Sequence, residues 1–253
     1  MNKKDLVSIL IKEEVAYIAI ERQEKLNALN KAVLETLNTT FLELDQRNDV
    51  HVIVITGAGE DAFAAGADLG EILNLNTKEE MHEYYSRFED LYKTIWIIKK
   101  PVIAKVNGMA LGGGCLLALA CDFVVAHKSA KFSQPEINFG FIGGSSFLSR
   151  VVGKQIASEI TMLGKTFTAD EAYRLGLVNR VLEREEIDFE IGKICKTLKT
   201  KSPYALSMIK ECVKESYNSS LTDSIKYETE AAASCLMTND SRKAIADFVE
   251  SKK

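Results

Sequence analysis

Glu136 stands in the stretch FSQPEINFG, directly after Pro135 and among apolar neighbours. Burial disfavours the charged form of a carboxylate and raises its pKa, so such a group can act as acid or base near neutral pH. Two glycine-bearing turns offer a second kind of chemistry. FAAGADL (63–69) and NGMALGGGCLL (107–117) each follow a β-type run. Glycine lets a backbone N–H approach a ligand with no Cβ in the way. A turn that feeds straight into a helix also leaves free N–H groups and the positive end of the helix dipole facing that ligand. Two such turns from neighbouring strands would aim two N–H groups at one point, the geometry of an oxyanion hole. Plainer roles suit the same residues: the glycines could serve only close packing of helix on sheet, and Glu136 could sit in a surface loop.

Two other motifs fail on context. Gly57-x-Gly59-x-x-Ala62 follows a strand, as a dinucleotide fingerprint would, but FAAG comes next instead of a long helix. The strand after it ends in Asn107 and Gly108 without a ribose-binding acid, so a turn is the better reading. GGSSF (143–147) has Phe147 where a nucleophile elbow needs its second glycine.

The elements that must position these residues are legible as alternating strands and helices. AYIAIE (16–21), VHVIVITG (50–57) and PVIAKVNG (101–108) read as strands, the second one β-branched and buried on both faces. Leu29, Val33, Leu37, Phe41 and Leu44 recur at helical spacing, and a helical pattern returns from about Thr77 to Lys99. CLLALAC (115–121) suits a buried helix starting at the glycines, and FVVAHKSAKF (123–132) one or two short strands. Thr168 with Glu171 has capping-box spacing, and Gly176 fits a helix C-cap before a strand. Beyond about Glu186 only helical patterns remain; the last places Ala244, Ile245, Phe248 and Val249 on one face. The expected fold class is α/β, with a core over 1–195 and a helical oligomerisation region over 196–253.

Bulk composition narrows the functions. The 253 residues are 46% hydrophobic and 27% charged, ordinary for a soluble domain. A net charge of −4 provides no large positive field for nucleic acid. Five cysteines, an odd number without a CxxC, suggest free buried thiols in a reducing compartment, and three histidines make a structural zinc site a poor fit. The N-terminal stretch lacks a signal-peptide pattern, and the uncharged run Val106–Cys121 is too short and glycine-rich to span a membrane. A cytoplasmic protein without membrane or nucleic-acid partners is expected.

Taken together, EKLNAL (24–29), VIVITGAGEDAFAAGADL (52–69), KKPVIAKVNGMALGGGCLLALACD (99–122), AKFSQPEINFGF (130–141) and the tail TNDSRKAIADFVE (238–250) resemble the crotonase (enoyl-CoA hydratase/isomerase) superfamily over nearly the whole chain. The resemblance implies a spiral of ββα units with a C-terminal helical region, assembled as homotrimers or homohexamers. It implies an acyl-CoA or acyl-carrier-protein thioester as substrate and no metal or redox cofactor. By position, the N–H groups of Ala67 and Gly113 would form the oxyanion hole and Glu136 would be the acid/base. Lys25, Ala28, Ala65, Asp68 and Leu69 would line the coenzyme A groove. Met109, Leu111, Leu116, Pro135 and Gly144 would contact the rest of the substrate.

The departures from the family pattern bear on the reaction. Family hydratases position water with two glutamates; Glu136 matches the second, while the place of the first is Leu116. Leucine cannot hold water. FIGGSSFLSRVVG (141–153) is also shorter than the family's loop, and no acid lies between Glu136 and Glu159. The expectation is therefore a single-carboxylate enzyme, favouring double-bond isomerisation or a related decarboxylation or dehydration. Ordinary hydration by Glu136 alone and a non-catalytic acyl-CoA-binding subunit are the alternatives.

Overall fold

The computed structural model describes residues 6–252. In chain order the elements are β1 (Val7–Lys12), β2 (Val15–Ile20), α1 (Lys31–Gln46), β3 (Val52–Gly57), β4 (Ala62–Ala64), α2 (Leu69–Ile72), α3 (Lys78–Ile97), β5 (Val102–Val106) and β6 (Met109–Leu111). Then follow α4 (Gly113–Ala120), β7 (Phe123–His127), β8 (Lys131–Ser133), α5 (Ser145–Leu163), β9 (Thr166–Thr168), α6 (Ala169–Arg174) and β10 (Arg180–Leu182). Helices α7 (Arg184–Lys199), α8 (Pro203–Ser216), α9 (Leu221–Leu236) and α10 (Asn239–Glu250) complete the chain.

The strands divide between two sheets, ordered β1-β2-β3-β5-β7-β10 and β4-β6-β8-β9. Only β1/β2 and β8/β9 are antiparallel; every other pairing is parallel. Each repeat runs through one strand of the larger sheet, one of the smaller, and then a helix. β3-β4-α3, β5-β6-α4 and β7-β8-α5 thus stack as a spiral. The corners between sheets are tied by asparagines. Asn107 Nδ2 donates to the Gly57 and Gly59 carbonyls at 2.9 and 2.7 Å, and Asn27 Nδ2 to those of Ala58 and Ala62 at 3.0 and 2.7 Å. The Gly57–Ala62 segment is such a corner: Ala62 opens a strand, not the helix a dinucleotide site requires.

Both faces of the larger sheet are covered at its central strands, which explains their uninterrupted apolar sequences. On β3, Ile53 and Ile55 face the main core with α1 and α3, while Val52 and Val54 pack on the other side with Ile187, Ile191 and Cys195 of α7. Capping follows the local sequence: Thr77 with Glu80 and Thr168 with Glu171 form capping boxes. α5 is broken at Gly153 (φ 76°, ψ 168°). All five cysteines are free; Cys115, Cys121 and Cys195 are buried, Cys212 and Cys235 half-buried. Among the described residues no helix is long and apolar enough to cross a membrane.

Candidate active site

The two glycine turns meet at the N-terminus of α4. Gly66 lies against Gly113: a Cβ on Gly66 would fall 2.6 Å from the Leu111 carbonyl oxygen and 3.2 Å from the Gly113 nitrogen. Neither the Ala67 N–H nor the Gly113 N–H donates to a protein acceptor among the described residues. The flanking N–H groups are engaged, Gly112 with the Ser133 carbonyl at 2.8 Å and Asp68 with the Tyr84 hydroxyl at 3.1 Å. Two free donors thus remain where the helix dipole favours negative charge.

Glycine is required at 112 and 114 for different reasons. Gly112 caps α4 at φ 50°, ψ −122°, a conformation that side chains avoid. A Cβ there would also meet Glu136 Oε1 at 2.5 Å. At Gly114 a Cβ would lie 2.0 Å from the Ala64 carbonyl oxygen, so this residue lets the helix sit directly on β4.

Glu136 lies in the short 3₁₀ turn Pro135–Phe139 that follows β8. Its carboxylate rests between the backbones of Gly112 and Gly143. Oε2 is buried without a hydrogen-bond partner among the described residues. Burial pushes this carboxyl above the usual range, against a smaller lowering from its own backbone N–H.

These groups share one cavity of about 790 Å³. Of the residues singled out from the sequence, Ala65, Ala67, Leu69, Gly113, Leu116, Pro135, Glu136 and Gly144 line it. Leu116, one turn into α4, is 9% exposed. Lys25, Ala28, Asp68, Met109 and Leu111 do not line it. Lys25 is exposed in a 3₁₀ turn. Ala28 offers its carbonyl to Arg22, and Met109 and Leu111 belong to β6. Glu71 accepts from the Lys31 N–H and Tyr84 donates to the Leu29 carbonyl, so both serve structure outside the cavity.

Asp68 works beside the site. It caps α2 and accepts from Arg22 at 3.0 Å, while the second arm of Arg22 reaches the Ala28 carbonyl at 2.6 Å. Burial raises its pKa, but the Arg22 hydrogen bond and the backbone N–H groups of Glu71 and Gly70 outweigh that and hold it below the usual range. The pair is largely buried, with 10% and 17% of the two side chains exposed, and it anchors the residue next to Ala67. Arg22→Ala leaves Asp68 without its cation and is expected to cost about 3 kcal/mol. Denaturant melts check this; an unchanged midpoint would show the pair to be dispensable.

The remaining wall is aromatic, and the sequence does not announce it. Tyr85, Phe88, Tyr92 and Trp96 project from one face of α3; Phe141 packs its ring against Tyr85 and Phe147 against Tyr92 and Trp96, with Phe139 stacked on Phe141. The Tyr92 hydroxyl donates to the Gly113 carbonyl at 2.8 Å and so braces the helix start. Burial, with the Glu136 charge as a smaller contribution, pushes the Tyr85 hydroxyl up to about 12. The helical spacing of these aromatics is visible in the sequence, but an apolar stripe on a helix reads equally well as core.

Two stacked sheets wound into a ββα spiral, with a helix start and a turn opening on one cavity, define the crotonase fold. An enoyl-CoA hydratase from Mycobacterium smegmatis matches with a TM-score of 0.94 at 30% identity, covering 97% of this chain and 96% of that one. The enoyl-CoA hydratase/isomerase family model matches residues 10–253, and the chain belongs to that family. The short-chain-enoyl-CoA hydratase of Clostridium acetobutylicum is 34% identical over 98% of this chain and 97% of its own length. The crotonyl-CoA hydratase of Syntrophomonas wolfei is 36% identical over 97% and 95%.

Proposed function

We propose that this chain processes enoyl thioesters through an enolate, with Glu136 as the single acid/base and the Ala67 and Gly113 N–H groups holding the thioester oxygen. The observation that carries this reading is one half-buried carboxylate, its Oε2 buried without a partner among the described residues, lining the same cavity as two free backbone donors. Each such donor contributes about 2.7–4 kcal/mol to the transition state in comparable sites. The only other acid lining the cavity among the described residues is Glu89, 60% exposed and paired with Lys93.

The reaction best suited to one carboxylate is movement of a double bond. Glu136 takes the C2 proton of a 3-enoyl thioester, and the released electron pair moves into the carbonyl, whose oxygen receives both N–H groups. The dienolate then takes the proton back from Glu136 at C4, leaving the double bond between C2 and C3. Leu116, in the position of the family's first hydratase glutamate, keeps water away from the intermediate. Coenzyme A or a carrier protein enters only as part of the substrate, and the scheme uses no metal or redox cofactor. Exposed Ile245, Phe248 and Val249 on α10 support association of copies into a trimer or hexamer.

A second reading, hydration of a short 2-enoyl thioester by Glu136 alone, is favoured by the names of the Clostridium and Syntrophomonas relatives. Rates of 3-enoyl-CoA isomerisation and crotonyl-CoA hydration by the same preparation separate the two. Faster isomerisation supports the proposal, and faster hydration replaces it with the second reading. Acyl-CoA binding without either turnover leaves a binding subunit. Leu116→Glu adds the missing carboxylate and is expected to raise hydration at least about tenfold relative to isomerisation, since acid–base groups contribute about 10²–10⁴-fold. An unchanged ratio of the two rates would remove Leu116 from the account.

A further inference from the structure

A second cavity of about 390 Å³ adjoins the first. Its walls include Leu119, Phe123, Leu177, Leu206, Ile209 and Val213, drawn largely from α4, β7 and α8, with the Asp122–Lys210 ion pair among them and Ile209 and Val213 partly open to solvent. Trp96, Phe147 and Arg150 line both cavities, so these residues of α3 and α5 stand at the boundary between them. The Trp96 ring stands 5.8 Å from that of Phe147 and 5.9 Å from that of Tyr217, measured between centroids. Arg150 fixes the edge of this partition by donating to the Tyr217 carbonyl at 2.6 Å.

The partition lies in line with the reacting groups. Phe88 and Tyr92 touch Gly113 at the helix start, and Trp96 follows one turn further along the same face of α3. An acyl chain whose carbonyl sits at Ala67 and Gly113, running along this face, meets Trp96 and Phe147 end-on. Behind them is the second cavity, which the chain does not reach.

We propose that Trp96 and Phe147 form the stop that sets acyl-chain length, and that the second cavity takes the end of a long unbranched acyl chain once the stop is removed. This rests on the acyl-thioester reading of the site. Each methylene buried gains about fourfold in affinity, so chain length is a sensitive ruler.

The test is equilibrium binding of saturated, unreactive acyl-CoAs from butyryl to hexadecanoyl, by calorimetry, with melting curves to verify folding. In the wild type, affinity should rise with length and then level off. In Phe147→Ala the rise should continue, lifting the hexadecanoyl-to-octanoyl affinity ratio at least tenfold. Phe147→Leu should lift it less and serves if the alanine variant does not fold. Val213→Trp added to Phe147→Ala fills only the second cavity and should return the ratio to the wild-type value. A wild-type curve without a break overturns the proposal, as does the same break in a folded Phe147 variant. If no acyl-CoA of any length binds, the acyl-thioester reading itself fails and the stop with it.

Discussion

Glu136→Gln is expected to lower kcat by about 10²–10⁴-fold, the usual contribution of a positioned acid–base group, while leaving acyl-thioester affinity nearly intact. Glutamine keeps the shape that fits between Gly112 and Gly143, but it cannot accept the substrate proton. The same substitution is expected to stabilise the protein at neutral pH, because it removes a charge from a buried position where Oε2 has no partner. The sign follows from linkage. Burial raises the folded-state pKa, so below the unfolded carboxylate value of about 4.3 both states are protonated and the cost is absent. It grows as pH rises through the raised folded value. The Tm of the variant should therefore exceed that of the wild type at pH 7 and converge with it at acid pH. Each kcal/mol relieved corresponds to roughly 2–4 °C in a chain of this size. The kcat/KM of the wild type should also rise with pH along a limb above the usual carboxylate range, since the proposed base must be ionised. Turnover within tenfold of wild type would sink the assignment of Glu136.

Gly114→Ala is expected to produce the largest loss of stability, about 3–5 kcal/mol and roughly 6–20 °C in Tm. The added methyl would sit 2.0 Å from the Ala64 oxygen and 2.8 Å from the Ala64 Cβ. Neither atom can step aside, because Ala64 belongs to β4 and its pairing with β6. The helix must lift off the sheet, and Gly113 lifts with it. Thermal melts and activity should therefore fall together. By contrast, the atoms nearest an added methyl in Gly113→Ala belong to the ring of Phe88, at 2.5 Å, and a ring can rotate or shift. A Gly114→Ala protein that melts within a few degrees of wild type would show that the helix–sheet contact has slack.

Long periodic segments are the legible part of this sequence. α1, α3, β3 and β5 lie where the apolar spacing puts them, and the Thr168 box caps α6. The elements that escape such reading are mostly short. β4, β6, β8 and β9 have three residues each, too few to display alternation, yet they build the whole second sheet. β8 falls within a run that reads as one or two strands, whereas β6 hides in a stretch that reads as a turn. β1 (VSILIK) is apolar and β-branched but lacks a clean alternation, and Ser8, Ile9 and Leu10 all stand exposed in the fold. The spiral that winds these strands together follows from family resemblance and not from periodicity. At the site, residue chemistry is the readable part: a carboxylate beside proline and two glycine turns. The aromatic wall is unreadable, because whether a helix face meets core or cavity depends on partners distant in sequence.

The run Gly112-Gly113-Gly114 has a consequence for how such a site can diversify. One glycine leaves room for the carboxylate, the next offers the N–H, and the third seats the helix on β4. These roles belong to the main chain, and a side chain at Gly112 or Gly114 disturbs the common machinery shared by every reaction that passes through an enolate. Leu116, Trp96 and Phe147 line the same cavity and hold none of these main-chain roles. Selection can exchange those without rebuilding the electrostatics. The division separates a frozen catalytic chassis from interchangeable walls, and new substrates or outcomes are open to single-residue steps.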